Sequence, residues 1–211
     1  MCVNAEVSMA AFLFCSITSF YLYKRNNIND RWIAITVGYF GTMQLLEYLI
    51  WMDQECSGLN QKVTTIVFFQ NILQPIVSLF VAYYMTNGKI PIWIYGIILL
   101  YIIYSVPKIW ESKSPDQCSK PCKEGQLGLS WDYTLSDHYK IVWVIFALAL
   151  GTPYLLMKKG YIYFSLLMGT FIMSIFIGED RCGTSPAPSG SWWCLMATII
   201  PFLAIFINSK K

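Results

Sequence analysis

The sequence predicts an all-α fold: a polytopic membrane protein of seven transmembrane helices forming one domain over residues 1–211. Three observations carry that expectation. The chain is 56% hydrophobic and 13% charged, against roughly 25% charged residues in soluble globular domains. Its apolar residues gather into seven windows, most of them close to the 17–25 residues or so that a membrane helix needs. Within each window the apolar run is continuous, whereas a membrane β-strand alternates apolar with polar residues, so helices are expected and a barrel is not.

The first window, Val7–Tyr23, has no Lys or Arg ahead of it and is followed by Lys24 and Arg25. A cleavable signal has the opposite charge order, so this span is expected to be retained, with the N-terminus outside and the C-terminus inside. The second, Trp32–Met52, encloses Glu47. The third, Thr64–Met85, carries Gln70, Asn71, Gln74 and Ser78 together with Pro75. The fourth, Pro91–Val106, and the seventh, Trp192–Ile207, are near the short limit. Ile141–Met157 and Tyr161–Ile177 complete the set. Pro75, Pro153 and Pro201 are expected to kink their helices. Gly169 and Ser174 offer small residues for close packing in the sixth. Most tryptophans fall near window ends, as interfacial belts do. Residues 108–138 are polar and proline-containing, which predicts an extracytosolic capping loop.

Charge and cysteine placement bear on orientation independently. The expected inner turns hold Lys24, Arg25, Arg31, Lys89, Lys158, Lys159, Lys210 and Lys211 with the single acid Asp30, crowded into short connections. Of seven cysteines, Cys15 lies in the first window, whereas Cys2, Cys56, Cys118, Cys122, Cys182 and Cys194 all fall on the outer side. Thiols pair in oxidising compartments, so these six are disulfide candidates on an extracytosolic face, with fifteen connectivities open. The expected location is a membrane of the secretory-pathway or plasma-membrane type. Cys118 and Cys122 with His138 are the nearest approach to a metal site, but a tetrahedral zinc centre needs a fuller ligand set; no metal is expected.

A shift of 126 residues carries Cys56 onto Cys182 and Pro75 onto Pro201. Chance matching of apolar residues competes with a three-one-three parallel repeat of the kind used by some transporters. The layout is similar to that of SWEET-type and PQ-loop transporters and of seven-helix receptors. However, Gln74-Pro75 reverses the Pro-Gln signature, and the seventh window has no lysine for a retinal Schiff base. One histidine in the chain is too few for a ceramidase-like zinc centre. The segments MQLLEYLIW, FFQNILQP and GSWWC resemble those of uncharacterised multi-spanning proteins of large DNA viruses and protists. That resemblance implies a host or virion membrane and no particular chemistry.

The candidate site is intramembrane. A charge at the centre of a spanning helix costs roughly 2.5–3.5 kcal/mol on insertion scales, so Glu47 is expected to face protein and to bond. With the second helix ending near Met52 and the third starting near Gln61, Glu47 lies about five residues and Gln70 about eight from the outer boundary, at comparable depth. Glu47, Gln44, Gln70, Asn71 and Gln74 are therefore expected to form one cluster between the second and third helices. Side-chain amides can serve as interhelical glue, or with a carboxylate they can bind a cation, a proton or a polar solute. Three functions follow: a small-solute or ion transporter or channel-like protein; a receptor-like or structural protein acting through a disulfide-linked outer cap; and a membrane enzyme using Glu47 with Asp53 and His138 as acid and base. The expected partners are the lipid bilayer and a small polar solute or ion. No phosphate loop or dinucleotide fingerprint occurs, so no cofactor is expected, and no loop is basic enough for nucleic acid.

Overall fold

The computed structural model describes residues 4–111, 118–121, 129–130, 139–182, 193 and 195–209. The described part is helical apart from one short antiparallel pair, β1 (Lys120–Pro121) with β2 (Leu129–Ser130). In chain order the helices are α1 (Ala5–Arg25), α2 (Ile28–Trp51), α3 (Leu59–Met85), α4 (Ile92–Leu100), a π-helical turn (Tyr101–Ser105), α5 (Val106–Glu111), α6 (Tyr139–Gly151), a 3-10 turn (Thr152–Leu156), α7 (Gly160–Cys182) and α8 (Ile199–Ile207). Four are long and apolar enough to cross a membrane: α1, α2, α3 and the composite Ile92–Trp110. Three shorter apolar helices, Ile141–Leu156, Gly160–Ser174 and Leu195–Ile207, correspond to the last three windows.

Local chemistry sets the ends. The Asn4 side chain caps α1 by accepting from the Val7 N–H at 2.9 Å. Glu6 in the first turn and Lys24 and Arg25 in the last match the helix dipole. The helix stops at Asn26, whose φ of 58° lies in the left-handed region that ends helices. Asn27 then caps α2 through the Asn29 N–H at 3.0 Å. A two-residue connection therefore forces α1 and α2 into an antiparallel pair.

That pair packs unusually closely. A Cβ added at Gly41 would lie 2.5 Å from Cys15 Sγ, and one at Gly38 would lie 3.5 Å from Ser19 Cβ. Small residues spaced one turn apart on both helices let the backbones approach. Gly169 is not the packing glycine expected from the sequence: among the described residues, nothing lies within 4 Å of the space its Cβ would take. The difference is one of rotation about the helix axis, which apolar residues distributed all around a helix leave unspecified.

The prolines have more varied roles than the expected kinks. Pro75 sits inside α3, and the carbonyl three residues before it, on Ile72, accepts from Tyr101 Oη at 2.9 Å. Pro153 turns α6 into the 3-10 segment, and the carbonyl three residues before it, on Leu150, accepts from Ser78 Oγ at 2.9 Å. In each case a hydroxyl from another helix satisfies a carbonyl in the turn that proline disrupts. Pro201 is the third residue of α8, where a missing N–H costs little. Pro75 and Pro201 thus occupy different places in their helices. Pro107 does not end the fourth span; helix continues through it to Glu111.

The bundle presents an apolar surface and seals several strongly polar side chains within its core. Ile17, Phe80, Tyr84, Ile92, Ile103 and Phe176 stand exposed, whereas Thr36, Gln44, Glu47, Gln74 and Ser78 are fully buried. A water-soluble protein has the reverse distribution. Tyr101, Trp143, Phe146, Phe171, Trp193 and Phe40 form a continuous aromatic centre with ring separations of 5.2–6.4 Å. Among the described residues, Trp32 and Trp193 are buried and only Trp93 and Trp110 are exposed in the manner of a belt.

Candidate functional site

Two polar fasteners close the ends of the bundle. At one end the Asp53 carboxylate accepts from the Ser57 N–H (2.9 Å), the Ser57 hydroxyl (3.0 Å) and the Asn60 N–H (2.9 Å). Those donors hold its pKa well below the ordinary aspartate value, down to about 2. Asn60 donates to the Ser119 carbonyl (2.9 Å) and accepts the Ser119 N–H (2.9 Å), while Thr64 donates to the Ser119 hydroxyl (3.0 Å). The Cys56–Cys118 disulfide, with Cα atoms 6.1 Å apart, locks the same segment. Of the six disulfide candidates, these two are paired. Cys2, Cys122 and Cys194 lie outside the described residues, as does the side chain of Cys182. Both Asp53 oxygens are occupied in starting α3, which leaves them poorly placed to act as a base. His138 lies outside the described residues.

At the other end, Arg25 grips Asp30 with two bonds of 2.7 and 3.1 Å and also donates to the Ile205 carbonyl at 2.8 Å. Asn208 donates to Asp30 (2.6 Å) and accepts from Tyr163 (2.9 Å); Asn29 donates to the Lys158 carbonyl (2.8 Å), and Lys159 reaches the Ile207 carbonyl (3.3 Å). The open carbonyls at the end of α8 are thereby capped by cations. The turns expected on the inner side do gather at one end of the bundle.

Between the fasteners lie the five residues singled out from the sequence. Gln44 donates to the Glu47 carboxylate at 3.1 Å, both fully buried. Gln74 donates to the Asn71 side-chain carbonyl at 3.1 Å. Gln70 is set apart from these pairs: its amide donates to the Tyr39 carbonyl (3.0 Å) and the Thr42 hydroxyl (2.5 Å) of α2.

These contacts give the helix register. Asp53 opposite Asn60 and Thr42 opposite Gln70 define one antiparallel alignment of α2 and α3. In it Gln70 lies about 8 Å deeper than Glu47 at the usual rise per residue, not level with it. Asn71 and Gln74 fall opposite Gly41 and Gly38, near the middle of α2. The sequence puts the start of α3 near Gln61 and takes the two depths as comparable; the helix begins at Leu59 and Asp53 pairs with Asn60 across the connection, which carries Gln70 further from that end.

The Asn71–Gln74 pair is incomplete. Asn71 Nδ2 and Gln74 Oε1 are sealed from solvent without a hydrogen-bond partner among the described residues. Exchanging the amide oxygen and nitrogen on both side chains does not change this: one amide–amide bond leaves one donor group and one acceptor over. The indole N–H groups of Trp51, Trp143 and Trp193 are likewise buried and unpartnered. Sequence reasoning found the amides and missed the indoles, whose placement at window ends suggested a headgroup belt.

The chain matches no protein-family model, no curated protein and no solved structure. Its function is read from this geometry. The described residues contain no group of three metal-ligating side chains. What they do contain is an unfilled donor and acceptor beside a proline-disrupted turn, at mid-bundle, with a carboxylate–amide pair about two turns away along the same helix pair.

Proposed function

We propose that the chain is an integral membrane protein crossing the bilayer seven times, N-terminus outside, and that it binds and conducts a small polar solute or cation through the bundle centre. The observation that carries this reading is the leftover pair, Asn71 Nδ2 and Gln74 Oε1. Leaving a polar group buried and unpaired costs about 1–3 kcal/mol, and a solute bearing one acceptor and one donor relieves both costs at once. Glu47, held by Gln44, adds a charge-bearing station toward the Asp53 end. The two fasteners serve as closed gates on either side.

The test is flux into proteoliposomes, followed for protons, sodium ions and small neutral solutes, with Glu47→Gln and the double replacement Asn71→Leu/Gln74→Leu as controls. Wild-type flux above empty liposomes that both variants abolish is the expected result. No flux for any probe, or flux unaffected by both variants, overturns the reading.

A second reading is supported by the rigidity of the Asp53–Asn60–Ser119 clasp with its disulfide: a receptor-like or structural protein that presents an extracytosolic cap. It expects the clasp to be essential and the mid-bundle amides to be replaceable without functional loss.

A further inference from the structure

The first turn of α2 sends its two charges in opposite directions. Asp30 turns into the bundle toward Arg25 and Asn208. Arg31 instead lines a cleft of about 550 Å³ with Ile28, Phe80, Tyr83, Tyr84 and Asn87. This volume falls within the roughly 300–1,000 Å³ typical of small-molecule sites. The Arg31 side chain makes no hydrogen bond or ion pair among the described residues, and its Nε is sealed from solvent. None of the described residues lining the cleft is acidic.

The cleft is shaped by the end of α3. Asn87 and Gly88 take successive positive φ values of 52° and 78°, and the Gly88 N–H returns to the Tyr83 carbonyl at 2.9 Å. This tight reversal leaves Lys89 immediately beyond the rim. On its outer side the cleft opens onto the apolar surface of the bundle, where Phe80 is 71%, Tyr84 70% and Ile28 52% exposed. A cation at the depth of the helix ends, with aromatic and aliphatic side chains running outward from it, complements a molecule with an anionic head and hydrocarbon tails.

We infer that this cleft binds the phosphodiester head of a membrane phospholipid, with Arg31 as its anchor and the Phe80–Tyr84 face carrying the acyl chains. Guanidinium matches phosphate oxygens with paired donors, and a basic residue between helix ends is a recognised setting for lipid phosphate. Anionic headgroups are preferred over phosphatidylcholine because Lys89 adds a second positive charge nearby.

The test uses the full chain in phosphatidylcholine vesicles carrying a photoactivatable phosphatidylglycerol, followed by peptide mapping. Label on residues 28–31 or 80–88 is expected, falling about five- to tenfold in Arg31→Gln and by less in Arg31→Lys, which keeps the charge and loses the paired donors. Unlabelled phosphatidylglycerol should compete, whereas inorganic phosphate should do no more than chloride at equal ionic strength. Label mapping elsewhere overturns the inference, as does Arg31→Gln labelling at the wild-type level. Displacement by inorganic phosphate as effective as displacement by lipid would assign the cleft to a free anion and also overturn it. Should Arg31→Gln fail to fold, judged by loss of a monodisperse species, the wild-type map decides alone.

Discussion

Gln74 donates its side-chain amide to the Asn71 carbonyl across 3.1 Å, one turn apart on α3, and the pair leaves a donor and an acceptor buried together. Replacing both with leucine removes the unpaired groups along with their one bond. Thermal stability in detergent should stay within about 1 kcal/mol of wild type or rise. Gln74→Leu alone strands both groups of the Asn71 amide and should cost about 1–2 kcal/mol. If the double variant is the less stable of the two, the pair is not under-satisfied in the folded protein.

Gly41 faces Cys15 with no room for a side chain. Gly41→Ala should destabilise by about 1–3 kcal/mol, the usual range for overpacking. Combining it with Cys15→Gly should recover most of the loss. A double-mutant cycle followed by chemical denaturation measures the coupling, and additive effects would mean that the two backbones are not held this close.

Asp53 introduces a pH dependence outside the membrane-spanning segments. Its folded pKa of about 2 lies below the ordinary 3.8. The ionised form is therefore favoured by folding, and its contribution is present above about pH 4 and lost as the pH falls through 4 toward 2. Melting temperature should drop across that window, and Asp53→Asn should flatten the drop while lowering stability at neutral pH. A drop of unchanged size in Asp53→Asn would trace the acid sensitivity to another group.

The Arg25–Asp30 pair ties the α1–α2 turn to the end of α8 through the Ile205 carbonyl and Asn208. Asp30→Asn leaves the partly buried Arg25 without its counter-charge and should cost about 1–3 kcal/mol, less than for a fully buried pair because Arg25 remains 23% exposed. Hydrogen exchange should accelerate first in residues 199–209. Uniform acceleration throughout the bundle would instead mean that α8 unfolds only with the whole.

Cys56 and Cys118 close a loop spanning 62 positions, for which chain entropy predicts stabilisation of about 4 kcal/mol. Non-reducing peptide mapping should recover the two in one cross-linked species. That pairing leaves three arrangements for Cys2, Cys122, Cys182 and Cys194, which the same map separates. Recovering Cys56 joined to any other cysteine would remove the clasp from the fold.

Much of this protein is written in its composition and in the order of its polar residues. Seven apolar stretches, short basic turns collected at one end, a polar stripe on α3 and a buried Glu47 all follow from the cost of placing charge or unpaired backbone in hydrocarbon, a cost each residue incurs wherever its neighbours lie. Tertiary structure alone decided which faces meet. It set Gln70 against Thr42 and not Glu47, placed Gly41 and not Gly169 at a close helix contact, joined Cys56 to Cys118, and turned Arg31 away from Asp30 into a cleft. The physical reason is that helices apolar around their whole circumference have no preferred rotation or register in their sequence. Those are settled by a few close approaches and hydrogen bonds between residues distant in the chain, and these exist only once the bundle has formed.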